Sequence, residues 1–216
     1  MIFSIEALYA LHMITNDGYS EDLFLLPLPE VEGKEKLEQL KEVLEKGFED
    51  LRSMDLIDEN DEPTEACMAR GIYLDQYQKA FSHCEVDQQF YCAQLVDSNR
   101  WYHIVIERVG ENAYTLNRIH SFQFLGMTIQ LHDFLSAQNP QREGNPNASS
   151  WEPYSDERLL IYYGQRPALT VMTYSYKKCS TAYLYLDAPS GLYQYDMLEQ
   201  RIRSVSTEVM EKEVIK

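Results

Sequence analysis

One pattern occurs twice in this chain and restricts its folds more than any other. Two short β-like runs flank a polar turn, and a small capping residue and a helix-like stretch follow. The first copy is YHIVIERVGENAYTLNRIHSFQFL (102–125) and the second LTVMTYSYKKCSTAYLYLDAPSGLYQYDML (169–198). The identity between them is low, so they form a weak pseudo-repeat. Runs rich in β-branched and aromatic residues around short polar turns make antiparallel hairpins. A helix after each hairpin has to lay its apolar stripe on the sheet. The expectation is an α+β fold: a central antiparallel sheet built from two meanders, with helices packed on it, in two pseudo-repeated halves. The halves span residues 1–136 and 159–216. Between them lies 137–158, an exposed loop with three prolines and many polar residues, and the whole forms one compact domain.

The first third supplies helices. Ser4 precedes IEALYALHMI and can cap it, and the Asn16-Asp17-Gly18 turn signal closes it. LFLLPLP (23–29) carries prolines that confine it to an edge strand or an extended segment. Residues 34–54 read as an amphipathic helix with Leu37, Leu40, Leu44, Phe48, Leu51 and Met54 on one stripe. Thr64 can cap a further helix to about Phe81. Strands are expected at 89–96, 101–109 and 113–119, then a helix over 122–136 capped by Ser121, with Phe124, Thr128, Leu131 and Leu135 inward. The second half gives strands at 168–176 and 181–187 and a terminal helix of roughly 190–212, striped by Leu198, Ile202, Val205 and Val209.

Charge narrows the partners. Of 216 residues, 19 are Lys or Arg and 35 are Asp or Glu, for a formal net charge of −16. Residues 1–66 hold five of the basic residues and eighteen of the acidic ones. Such a chain repels phosphates, which argues against nucleic acid and anionic lipid and for a basic or mixed-charge protein partner or a plain solvated surface. No apolar run approaches the length needed to cross a bilayer. The N-terminus has no basic n-region or cleavage site, so a cytoplasmic location is expected.

Recognisable catalytic motifs are missing. There is no H-E-x-x-H, G-x-S-x-G, Walker A or G-x-G-x-x-G sequence. Cys67, Cys84, Cys92 and Cys179 form no C-x-x-C pair, and they read as buried reduced thiols. His83-Cys84 are neighbours in sequence, a poor arrangement for a dyad. The acidic loop Asp17–Asp22 lacks the ligand register of a calcium loop. The sequon at Asn147 matters only in a secretory compartment. No catalytic residue, metal or cofactor is therefore expected. A winged-helix-like regulatory role lacks a basic recognition helix, and a small enzyme without a recognisable motif is the other alternative.

Tyrosine is the conspicuous residue. Eight of the 16 tyrosines fall between Tyr162 and Tyr195. Residues two apart on a strand share a face. Tyr174 with Tyr176, and Tyr183 with Tyr185, therefore form pairs, while Ala182, Leu184 and Leu186 on the alternate face are the better core candidates. Tyrosine buries a large area while keeping a hydrogen-bonding tip, which suits a protein-binding surface. Tyr174, Tyr176, Tyr183 and Tyr185 are the candidate binding residues, with cross-strand packing beneath the terminal helix as the alternative.

The order of an opening E-A-L-Y-A-L helix, an L-P-L-P segment, a long helix ending in Leu-Ile-Asp, a Thr-opened helix, a meander and Phe124-Leu125 in a covering helix resembles the EspG/EsaE-like family of type VII secretion accessory proteins. The likeness covers most of residues 3–136, with the second meander as the other half. It implies a non-enzymatic cytosolic chaperone. Such a protein binds helical secretion substrates, keeps them export-competent and works beside a secretion ATPase. It carries over no individual binding residue.

Overall fold

The computed structural model describes residues 1–16, 22–29, 35–95, 101–132, 148–154, 168–188 and 190–215. Among these are five helices: α1 (Ile5–Thr15), α2 (Lys36–Ser53), α3 (Glu65–Lys79), α4 (Ser121–Leu131) and α5 (Thr207–Val214). The strands are β1 (Ser82–Val86), β2 (Phe90–Gln94), β3 (Tyr102–Gly110), β4 (Ala113–His120), β5 (Glu152–Pro153), β6 (Ala168–Ser175), β7 (Lys178–Ala188), β8 (Gly191–Asp196) and β9 (Arg201–Ser204). They take the order β4-β3-β2-β1-β6-β7-β8-β9-β5 in a nine-stranded sheet. The β1–β6, β2–β3, β5–β9, β6–β7, β7–β8 and β8–β9 pairs are antiparallel. This is the α+β architecture with a meander-built sheet that the hairpin patterns imply. By packing, the chain divides into two compact units. The first is Met1–Phe81 with Gln89–Arg118, and the second Ser82–Gln88 with Ile119–Lys216.

In the first unit, α1 is the centre. Every residue from Ile5 to His12 is buried, because α1 packs against both α2 and α3. Ser4 caps it as expected: its Oγ accepts from the Ala7 amide at 3.0 Å and donates to the Asp50 carboxylate on α2. One hydroxyl thus satisfies an orphan helix amide and ties two helices together. Ser4→Ala should cost about 1–2 kcal/mol in a urea melt. A loss under about 0.3 kcal/mol would mean that water replaces the cap freely.

Segment 22–29 is not a strand. Leu23 and Leu26 form an isolated bridge around a tight turn, with Leu25 at φ 63°. Side chains from two helices hold that turn. Tyr9 Oη accepts from Leu23 N at 3.3 Å and donates to Leu26 O at 2.9 Å. Tyr77 Oη donates to Phe24 O at 3.0 Å, and Gln78 accepts from Phe24 N and donates to Asp22 O. On α2 the buried residues are Val43, Gly47 and Leu51, with Leu40, Leu44, Phe48 and Met54 half-buried beside them. Leu37, placed on the stripe by its spacing, is 77% exposed, because the helix has barely begun there. Thr64 caps α3, accepting from Cys67 N at 3.3 Å.

The second unit departs further from expectation. Strand β1 carries Ser-His-Cys-Glu-Val, with no apolar alternation, and the sequence does not announce it. The turn after it puts Asp87 and Gln88 at φ 53° and 55°, a conformation usually taken by Asn-Gly. The Asp87 side chain supports it: Oδ1 accepts from Thr170 N at 2.7 Å and from Thr170 Oγ1 at 3.1 Å, and Oδ2 pairs with His132 Nε2 at 2.6 Å. Helix α4 is capped by His120 rather than Ser121; its Nδ1 accepts from Phe122 N at 3.3 Å. Phe124 and Thr128 are buried as expected, whereas Leu131, at the end of the helix, is exposed.

The expected helix over 190–212 is instead β8, β9 and the short α5. Leu192, Gln194 and Asp196 alternate with Tyr193 and Tyr195, and this two-residue period wins over the helical one. Asp196 closes the hairpin, its Oδ1 accepting from the Leu198 and Glu199 amides at 3.1 Å each. Leu198 therefore faces solvent and Ile202 lies in a strand; from α5 only Met210 and Val214 are buried. Cys67, Cys84 and Cys92 are buried thiols, but Cys179 is exposed near the β6–β7 turn. Asp17–Glu21, Asn147, Leu135, Tyr162, Tyr163 and most of the 137–158 loop lie outside the described residues. No helix among the described residues is long and apolar enough to cross a membrane.

Candidate functional site

Strand register places the four candidate tyrosines. In the β6–β7 pair, Leu169 lies opposite Tyr185 and Val171 opposite Tyr183. In the β7–β8 pair, Tyr185 lies opposite Gln194 and Tyr183 opposite Asp196. Directly opposed residues share a face, so Tyr183 and Tyr185 lie together, as the sequence predicts. Their rings meet edge to face with centroids 6.4 Å apart. Their burial differs. Tyr185 is 0% exposed, whereas Tyr183 is half-buried. The alternate residues Ala182, Leu184 and Leu186 are buried too, because this part of β7 is covered on both faces. Tyr185 is thus a core residue, and the outward-facing pair expected from alternation reduces to Tyr183.

Tyr174 lies on the opposite face. A register shift separates Thr173 from Tyr174, and Tyr174 Oη donates to Glu85 Oε2 at 3.1 Å and lies 3.5 Å from Met172 Sδ. Burial pushes the Glu85 carboxyl up against the opposing pull of that hydrogen bond. Tyr176 lies in the turn beyond β6, at φ 49° and 75% exposed. The four residues do not form one continuous patch.

What Tyr183 joins was not foreseen. Its ring stacks on Trp151, centroids 6.2 Å apart. The guanidiniums of Arg201 and Arg203 lie over the Trp151 ring at 4.7 and 4.2 Å from its centroid. Trp151 just precedes β5, which runs along β9, and this segment is fastened by Ser149 N to Ser204 O, Ser204 N to Ser149 Oγ and Tyr154 N to Gln200 O, all at 2.9 Å. Beneath, Gln194 Nε2 donates to Tyr185 Oη at 2.8 Å, and Arg203 Nε donates to Gln194 Oε1 at 2.7 Å. Arg201 is neutralised by the buried Asp196 at 3.0 Å. Burial and the nearby Glu213 carboxylate push the Tyr183 phenol up, so it stays neutral and can donate. The result is a strip of Trp, Tyr and Arg, the side chains that dominate hot spots of protein interfaces. Sequence reasoning missed Trp151 inside a polar loop and Arg203 inside an expected helix. The alternation Arg201-Ile202-Arg203 was the signal.

Two further groups of side chains have structural roles. Adjacent on β1, His83 and Cys84 oppose Tyr174 and Thr173 and so point to opposite faces. Burial pushes the Cys84 thiol up to about 12, so it holds no thiolate near neutrality. In the first unit a cavity of about 410 Å³ is bordered by Ile5, Glu6, Leu25, Tyr91, Arg108 and Asn112, among others. Burial alone would raise the Glu6 carboxyl. Hydrogen bonds from Asn112 Nδ2, at 2.7 Å, and from Lys46 Nζ outweigh it and hold Glu6 below its ordinary value of 4.5. That is the wrong direction for a general acid and the right one for a structural anchor. A carboxyl depressed in the folded state contributes stability that is complete above its unfolded value and lost as pH falls through the folded one. Below about pH 4.5 the wild type should therefore lose stability faster than Glu6→Gln, which should be weaker at neutral pH but flatter in acid. Parallel acid limbs in pH-dependent urea melts would overturn this.

Neither a family model nor a curated protein matches the sequence. Among solved structures the fold is similar to that of the type VII secretion system chaperone EspG5 of Mycobacterium tuberculosis, determined in complex with a PE25-PPE41 dimer. The likeness has a TM-score of 0.54 at 10% identity and covers 99% of this chain and 94% of that one. At this identity it is a likeness of fold, and in fold it agrees with the resemblance carried by the helix and meander order.

Proposed function

We propose that this protein is a non-enzymatic cytoplasmic chaperone or adaptor that binds a helical secreted protein and keeps it competent for export by a type VII system, beside the secretion ATPase. The observation that carries the proposal is the whole-chain likeness in fold to EspG5, a chaperone solved with its PE25-PPE41 dimer bound. The half-buried strip of Trp151 and Tyr183 supports it. Aromatic rings bury area on binding yet tolerate water when the site is empty, as a reversible chaperone surface requires. In this reading Tyr185 holds the strip from beneath, and Tyr183 and Trp151 touch the client.

The test is purification of the chain from its native host at native expression, with mass-spectrometric identification of stoichiometric partners. The expected partner is a helical secreted protein. Tyr183→Ala or Trp151→Ala should weaken that complex by about 2 kcal/mol, as hot-spot aromatics do, with the circular dichroism spectrum unchanged. Normal client binding by both variants would move the binding surface elsewhere. A stoichiometric partner that is not exported would overturn the proposal.

A further inference from the structure

Arg203 has no carboxylate partner among the described residues. Its Nε is used by Gln194 at 2.7 Å and its flat face by Trp151 at 4.2 Å, so its terminal nitrogens still carry donors, and Glu213, whose carboxylate acts on the same Tyr183 ring, makes no ion pair with it. Its neighbour shows the contrast: Arg201 sits over the same indole but is neutralised by Asp196 at 3.0 Å. A half-buried guanidinium without a direct ion pair among the described residues is notable in a chain with 35 acidic residues against 19 basic ones. The acidity is also concentrated in residues 1–66, all within the first unit, whereas the strip belongs to the second.

We infer that Arg203, held flat by Trp151 and Gln194, receives an acidic side chain of a partner polypeptide, whose adjoining apolar residue covers Trp151 and Tyr183. The inference rests on the chaperone reading for the class of partner and specifies what the client must present: a carboxylate next to an apolar stripe on a helix. The physical reasons are three. A guanidinium with free terminal nitrogens matches a carboxylate in planar geometry. Stacking on an indole fixes the fork before binding, so little side-chain freedom is lost. Neighbouring rings exclude water from the contact and strengthen it. Arginine and tryptophan stacking also suits a nucleobase, but a net charge of −16 repels a polyphosphate chain.

The experiment uses the full chain with Trp101→Phe, which leaves Trp151 as the single fluorophore of the two tryptophans. The probes are two synthetic amphipathic helices with the same leucine stripe, one flanked by glutamates and one by glutamines. The glutamate helix should bind about tenfold more tightly, and the difference should shrink at about 0.5 M salt. Arg203→Gln should abolish the discrimination, and Arg203→Lys, which keeps the charge but not the fork, should retain part of it. Equal affinities for the two helices, or discrimination unchanged by Arg203→Gln, would overturn the inference. So would displacement of the glutamate helix by about 10 mM inorganic phosphate, which would make the strip a phosphate site. If Arg203→Gln fails to fold, the lysine variant decides: reduced discrimination that still shrinks with salt supports a carboxylate contact at Arg203, and discrimination equal to that of the wild type rejects it. A secreted client co-purifying with the wild type while the two peptides bind equally would sink this inference and leave the chaperone reading intact. Peptide discrimination with no secreted client would preserve the acid-binding strip and remove the chaperone.

Discussion

Tyr185→Ala is expected to destabilise the protein by about 3–5 kcal/mol, while Tyr183→Ala, two residues away on the same strand face, should cost about 1 kcal/mol. The difference follows from burial. Tyr185 is fully enclosed opposite Leu169, and its Oη accepts a hydrogen bond from Gln194 Nε2 at 2.8 Å. Removing the ring leaves a large cavity and strands a buried amide. Tyr185→Phe separates the two contributions: it keeps the packing, loses the acceptor and should cost about 1–3 kcal/mol. The half-buried Tyr183 ring loses its stacking on Trp151 and its edge contact with Tyr185, at a site partly open to solvent. Urea melts of the three single variants check this. Similar losses for Tyr185→Ala and Tyr183→Ala would mean that the strip is part of the core and unsuited to a reversible partner. The pair also shows why a double variant is uninformative for binding, since its Tyr185 component alone compromises the fold.

The same residues show what could be read from the sequence. Alternation correctly puts Tyr183 and Tyr185 on one face, because the strand period is a property of the backbone. Alternation does not say which face is buried, and in β7 both are. The caps at Ser4 and Thr64 are legible because each is a local hydroxyl–amide interaction within one turn. Strand β1 is not legible: Ser82, His83 and Glu85 owe their strand conformation to pairing with β6, about 90 positions later. The stretch 191–204 carries both a helical stripe and a two-residue alternation, and the hairpin prevails because β7 offers it a register and Asp196 closes its turn. The strip was the least accessible. It joins Trp151, Tyr183 and Arg203 from three separate elements, and only the pairing of β5, β9, β8 and β7 brings them together.

Two glycines make the second large prediction. Helix α1 is buried from Ile5 to His12 because α2 and α3 come very close to it, and each does so at a glycine. A Cβ on Gly47 of α2 would lie 2.1 Å from the Glu6 carbonyl oxygen, 2.6 Å from its carbon and 2.8 Å from the Ala10 Cβ. A Cβ on Gly71 of α3 would lie 1.9 Å from Thr15 Cγ2. Alanine is the better helix former by about 1 kcal/mol, so helix propensity alone predicts that both substitutions stabilise. Packing reverses the sign. At Gly47 the obstacle is the α1 backbone itself, so the two helices must separate. Gly47→Ala should therefore cost about 3 kcal/mol, the upper end of overpacking losses. At Gly71 the obstacle is one methyl group of a side chain. Gly71→Ala should cost less, about 1–2 kcal/mol, and Thr15→Ser, which deletes that methyl but keeps the hydroxyl that donates to Leu11 O at 3.1 Å, should recover most of it. No side-chain trimming on α1 should rescue Gly47→Ala, and Ala10→Gly in particular should not, because the Glu6 carbonyl remains in place. Double-mutant cycles in urea measure both couplings. A stabilised Gly47→Ala, or its rescue by Ala10→Gly, would show that α1 and α2 are not in backbone contact at this crossing.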